Sequence, residues 1–212
     1  MFIILQSMYS SVRSYVKCSY GYTDYFECTS GLKQGCKCSP ILFSYVVEEI
    51  AKEVVRKGKH GIQFHPDMAT IYLLLFAEDV VLLSDTPTGL QNQLDNLKCS
   101  AESVGLNINM SKSKAMVFRL GGHLAAHEHW YIGGEKIEVV NEYNYLGYKL
   151  STKLCSNTAL ASLSMKGKAA VVQTMRPSKR LMCTSPDVIF KIFDAQIQPI
   201  LLYGSEIWGV NN

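Results

Sequence analysis

The stretch IYLLLFAEDVVLLS, residues 71–84, constrains the chain more than any other. Two adjacent carboxylates, Glu78 and Asp79, divide two apolar runs rich in Leu and Val. A membrane-spanning helix fits poorly, because the run falls short of ~20 apolar residues and central acids are costly there. Two short buried strands joined by a tight turn fit better, with the carboxylates at the tip. Glu-Asp is not the Asn-Gly or Asp-Gly pair that a two-residue hairpin prefers. A poor turn choice in a strongly apolar frame can mark positions kept for chemistry. Paired carboxylates on strands would give Mg²⁺ the hard oxygen ligands it shares with phosphates. An ordinary acidic turn between strands explains the same pattern, and this stretch alone favours that reading.

A second informative block is GLKQGCKCSPILF, residues 31–43. Gly31 and Gly35 flank Lys33 and Gln34, which allows backbone to approach a ligand closely. Ser39 is placed to cap the following helix, with Pro40 at its first position. Leu42, Tyr45, Val46, Ile50 and Val54 recur at helical spacing, so the helix reaches roughly Lys57. A helix N-terminus behind a glycine-bearing loop suits a phosphate or a base; a well-capped core helix explains the same residues. Thr86 and Pro87 open an amphipathic helix that Gly105 closes. Leu106, Ile108 and Met110 alternate as a strand, Ser111 to Lys114 turn, and the chain returns to Phe118. Lys112 and Lys114 project from that turn.

Further elements frame these blocks. A helix is expected over residues 2–15, followed by strands at 16–18 and 26–28 around a turn at Gly21. Trp130 to Val140 reads as a hairpin turning at Gly133-Gly134. Tyr143, Tyr145, Leu146 and Gly147 belong to the next strand; tyrosines there stack on bases or simply pack. A helix over 159–175 is expected to break at Pro177, and another starts at Pro186. His123, His127 and His129 have no cysteine close by and follow Gly121-Gly122, which argues for a mobile loop rather than a metal site.

Together with GLNINMSKSKAMVF (105–118) and YNYLGYKLS (143–151), the two main blocks resemble the reverse transcriptase of non-LTR (LINE-like) retrotransposons. Their order and approximate spacing match, and the resemblance runs from about the first ten residues to Trp208, truncated at both ends. It implies an α+β fold: a partial palm, an RRM-like antiparallel sheet with helices on one face, then a helical thumb-like region. Residues 1–150 would be partial fingers and palm, and 151–212 the thumb. The activity implied is RNA-directed DNA polymerisation on an RNA template and DNA primer, with Mg²⁺ or Mn²⁺. By resemblance Glu78 and Asp79 are the catalytic and metal-binding pair. Lys33, Gln34, Gly35, Ser39, Pro40, Lys112 and Lys114 face nucleotide and template, and Tyr145, Leu146 and Gly147 support the primer.

The departures from the family pattern carry weight. Its (F/Y)-A-D-D hairpin reads Phe76-Ala77-Glu78-Asp79 here, and Lys37 and Cys38 stand where Pro and Leu are usual. The family's earlier aspartate strand has no counterpart, since Asp24 and Glu27 lie in the wrong context. A two-metal clamp needs both carboxylate sources. Catalysis is therefore expected to be impaired in the chain alone, and a non-catalytic nucleic-acid-binding module is the alternative. Loss of that strand would also leave a palm-sheet edge open to a second chain.

Composition sets only outer bounds. Net charge is +3, but from residue 151 onward seven Lys and Arg meet three acids, so the positive charge gathers in the last third. Such an end could lie along phosphates or be a solvated face. Seven cysteines without regular spacing suit a reducing, intracellular compartment rather than a disulfide framework, nucleus and cytoplasm being equally compatible.

Overall fold

A computed structural model describes residues 2–58, 60–119, 122, 124–153, 155–180 and 185–209, with side chains left undescribed at Phe2 and over 175–180. The chain is α+β, and its contacts separate two compact units, Met1–Asn107 and Ile108–Asn212. No helix among the described residues is long and apolar enough to cross a membrane.

In the first unit, α1 (Phe2–Tyr9) is followed by β1 (Val12–Ser14), β2 (Lys17–Cys18), β3 (Gly21–Tyr22) and β4 (Phe26–Cys28). The helix expected to reach residue 15 stops at Tyr9. Val12 to Ser14 pair antiparallel with β4 instead, Val12 opposite Cys28, so a tertiary partner overrides the helical spacing. Next come α2 (Ser39–Lys57), β5 (Leu73–Phe76), β6 (Asp79–Leu82) and α3 (Pro87–Ser103). Helix α2 buries Val47, Ile50, Ala51 and Val54, one 3.6-residue face, against α3, which buries Leu94 and Ala101. Each helix also packs on one strand of the β5–β6 hairpin.

Two details of α3 explain its bounds. Thr86 Oγ1 accepts from the Gly89 N–H at 3.1 Å, satisfying an orphan donor of the first turn. At the other end Gly105 adopts φ +75°, the Leu106 N–H donates to Ala101 O and the Gly105 N–H to Glu102 O. This is a Schellman closure. The buried Gln93 donates from Nε2 to His60 O (3.1 Å) and to Leu83 O (3.0 Å), tying α3 to both ends of the hairpin segment.

Residues 106–110, where the first unit gives way to the second, form no strand. Asn109 Oδ1 accepts from Ser111 Oγ and from the Lys112 N–H, and its carbonyl accepts from the Ser113 N–H. These local bonds offer the backbone a turn in place of a ladder. β7 (Lys114–Ala115) pairs in parallel with β10 (Glu138–Val139). β8 (Tyr131–Ile132) and β9 (Glu135–Lys136) form the expected hairpin over Gly133-Gly134, both at positive φ. β11 (Glu142–Tyr145) pairs with β12 (Tyr148–Ser151). Leu146-Gly147 is therefore the turn of a hairpin, not part of a strand.

The chain then runs through α4 (Asn157–Arg180), α5 (Pro186–Ile192), a π-helical turn (Phe193–Ile197), α6 (Gln198–Leu201) and α7 (Ser205–Trp208). Helix α4 does not break at Pro177, which lies in its last turn and removes one N–H there without ending it. Ala159, Leu163, Tyr148 and Ile197 form the buried seam between this helical region and β12.

Candidate functional site

The acidic hairpin closes one residue earlier than its sequence suggests. Phe76 pairs with Asp79, so Ala77-Glu78 is the turn and Asp79 the first residue of β6. Ala77 takes φ +50°, the left-handed region that a two-residue hairpin demands. The strands are not buried as expected: Leu74, Leu75 and Phe76 are 45%, 37% and 61% exposed. The hairpin pairs with no third strand among the described residues, so its strand edges stay unpaired there.

Glu78 and Asp79 are both exposed, and neither makes a side-chain hydrogen bond or ion pair among the described residues. Free carboxylates of this kind suit a Mg²⁺ held jointly with substrate phosphates, which commonly uses only one or two protein carboxylates. No third His, Cys, Asp or Glu joins them among the described residues. The donor set therefore fits a shared ion and falls short of a closed protein cage. His123 and Gly121 lie outside the described residues; His127 and His129 belong to no metal-ligating group there.

The glycine-bearing block is more tightly wired. Gly31 and Gly35 adopt φ +87° and +81°, with open space around them. Ser39 is not the cap of α2. Cys38 holds that position, and Ser39 begins the helix, where its buried hydroxyl lies 2.9 Å from Tyr9 Oη and donates to Lys33 O at 2.8 Å. Lys33 in turn places Nζ 5.8 Å from the centre of the Tyr9 ring. Gln34, Gly35 and Pro40 are exposed. Cys36 lies in the same knot, and its thiol is lowered to about 7. The Cys38 backbone N–H is the main cause, followed by the Tyr9 and Ser39 hydroxyls.

The second unit gathers the remaining residues. Lys114 is committed to Glu138 at 2.7 Å, whereas Lys112 is exposed and makes no ion pair among the described residues. Tyr143 donates its hydroxyl to Lys112 O at 3.0 Å, joining the lysine turn to β11. The Leu146-Gly147 turn has φ +49° and +85°. Sequence reasoning missed three residues that hold these blocks: Tyr9, Lys166 and Tyr203. Tyr203 sits beside a glycine in an apolar run, a weak signal of close packing; nothing in the sequence around Lys166 singles it out.

None of these residues lines the cavity of the first unit, about 340 Å³, which Lys57, His60, Asn92, Gln93 and Asp95 help to wall. Ser39 is buried, Lys33, Lys114, Tyr145 and Leu146 are half-buried, and Gln34, Gly35, Pro40, Glu78, Asp79, Lys112 and Gly147 are exposed.

The family model described as reverse transcriptase (RNA-dependent DNA polymerase) matches residues 2–150. A transposon-derived protein of Caenorhabditis elegans is 29% identical over 140 residues, 65% of this chain and 49% of that protein. The 149 kDa protein of transposon TX1 from Xenopus laevis is 28% identical over 218 positions, covering 93% of this chain and 16% of its own length. The Pol polyprotein of the type-1 retrotransposable element R2 from Nasonia vitripennis is 27% identical over 125 residues, 55% of this chain and 12% of the polyprotein. The chain thus spans about half the length of one curated relative and under a fifth of the others.

The chain belongs to the reverse transcriptase family. Within it, the domain is of the non-LTR, LINE-like retrotransposon kind. This family generally uses divalent metal ions and acts on RNA and DNA.

Proposed function

We propose that the chain binds an RNA template annealed to a DNA primer and is impaired as a polymerase when alone. Residues 1–150 serve as partial fingers and palm, and 151–212 as a thumb-like region, in an intracellular setting. The observation that carries this reading is the acidic tip: Glu78 and Asp79 stand free, with no third ligand beside them among the described residues.

In this reading Lys33, Gln34 and Gly35 meet template and nucleotide, on a loop that Ser39 and Pro40 anchor to α2. Lys112 meets phosphate, Lys114 keeps its turn in place through Glu138, and Tyr145, Leu146 and Gly147 support the primer. Glu78 and Asp79 would hold Mg²⁺ or Mn²⁺. When bound, the ion neutralises phosphate charge and polarises the reacting oxygens. Glu78 carries one methylene more than aspartate, and a reacting group displaced by ~1 Å costs ~100-fold in rate. A binding module without chemistry is the second reading, favoured by that same incomplete donor set.

A protein partner is also part of the proposal. The β5–β6 hairpin, on which Leu74, Leu75 and Phe76 are exposed and which pairs with no third strand among the described residues, is where a strand from another chain would add.

Template–primer affinity measured across salt concentrations tests the binding part. A steep loss on a log–log plot, about 0.9 per phosphate contact on a duplex, is expected. Weak binding that ignores salt would contradict it.

A further inference from the structure

The Leu146-Gly147 turn is held from outside its own hairpin. A leucine at φ +49° is disfavoured, and such a conformation persists where the surroundings over-determine it. Two distant residues do so here. Lys166 of α4 donates from Nζ to Gly147 O at 2.9 Å, and the Tyr203 hydroxyl donates to Leu146 O. Both carbonyls of the turn are thereby engaged, each by a residue of the helical region.

The clasp is braced at close range. A Cβ on Gly147 would lie 3.7 Å from the Tyr203 ring, and one on Gly204 would lie 2.9 Å from the Tyr148 ring. Trp208 Nε1 donates to Tyr203 O at 3.1 Å, fixing the backbone that carries the clasping tyrosine. Neither clasping bond is buried, so neither answers a need to satisfy a buried polar group. What they do is lock one turn to one helical region.

We propose that Lys166 and Tyr203 are positioning residues that fix the Leu146-Gly147 turn for the 3′ end of a primer strand. This rests on the primer role assigned to that turn above. Lys166 and Tyr203 act through the turn, and the helical region sets where the turn stands. A shift of that region is transmitted to the primer end through these two bonds.

The test compares binding of the full chain to two RNA–DNA duplexes of equal length, one with a recessed DNA 3′ end and one blunt. The wild type is expected to favour the recessed duplex. Tyr203→Phe and Lys166→Met should each lower that preference by about two- to tenfold, as loss of one hydrogen bond implies. Blunt-duplex affinity should stay unchanged in Tyr203→Phe, and Lys166→Arg should restore the preference. A wild-type preference that both variants keep would overturn the clasp and leave the primer role standing. Equal weakening on both duplexes would also overturn it, showing a general structural effect. No preference in the wild type would show that the primer role itself fails, and the proposal with it.

Discussion

Phe76 and Asp79 face each other as the last pair of the acidic hairpin, which leaves Ala77 and Glu78 alone to make the turn. Ala77 consequently sits at φ +50°, a region where a Cβ is penalised by ~1–2 kcal/mol. Ala77→Gly should therefore raise the thermal unfolding midpoint, with a gain of roughly 0.5–1 kcal/mol after the added unfolded-state entropy. An unchanged or lower midpoint would contradict the turn geometry.

Gln93 is 1% exposed and serves two carbonyls, those of His60 and Leu83. Gln93→Leu keeps the volume but strips both carbonyls of this donor. Each acceptor that loses this half-buried bond costs up to about 1–3 kcal/mol, offset in part because Gln93 Oε1, itself buried without a partner among the described residues, is removed as well. Denaturant unfolding should show a loss of at least ~1 kcal/mol. A neutral result would mean that water replaces the side chain.

Cys36 should be the thiol that reports on the glycine-bearing loop. Its pKa lies at about 7 instead of 9.0, through the Cys38 N–H first and the Tyr9 hydroxyl next. Alkylation of Cys36, followed by peptide mass spectrometry, should have a midpoint near 7, and Tyr9→Phe should move it upward. The sign for stability follows from linkage: a depressed folded pKa stabilises the fold fully above 9.0 and no longer does so once pH falls through about 7. A Cys36 midpoint near 9.0 would show that the knot does not form.

The two lysines after Asn109 should separate in a binding assay. Lys112 is free of ion pairs among the described residues, while Lys114 lies 2.7 Å from Glu138. Lys112→Ala should reduce the salt slope of template–primer binding by about 1. Lys114→Ala should change it less, its main loss being an exposed pair worth ~0–1 kcal/mol. The reverse order would remove Lys112 from the phosphate path.

Much of the frame was legible because local signals agreed. Thr86 before Pro87 and Gly105 after Ser103 bound α3 as capping chemistry requires, and the Gly133-Gly134 pair marked its hairpin. The acidic hairpin was legible in place but not in register, since a one-residue offset depends on which residues pair across the strands. Its exposure was hidden too. Leu74, Leu75 and Phe76 read as core by hydropathy, yet they are exposed on a hairpin that pairs with no third strand among the described residues. Residues 106–110 misled because Asn109 turns the chain with its own side chain, which an apolar alternation does not reveal. Of the site, the residues sharing one element were legible together. The ties that span long sequence distances, Tyr9 to Ser39 and Tyr203 to Leu146, were not, because no periodicity encodes them.

The central claim is tested most directly by primer extension on an RNA template with the purified, folded chain, in Mg²⁺ and then Mn²⁺, beside Asp79→Ala. The account predicts that template–primer is bound but that no extension exceeds the Asp79→Ala background. Extension by the wild type that vanishes in Asp79→Ala would contradict it, showing that Glu78 and Asp79 complete a working site in this chain.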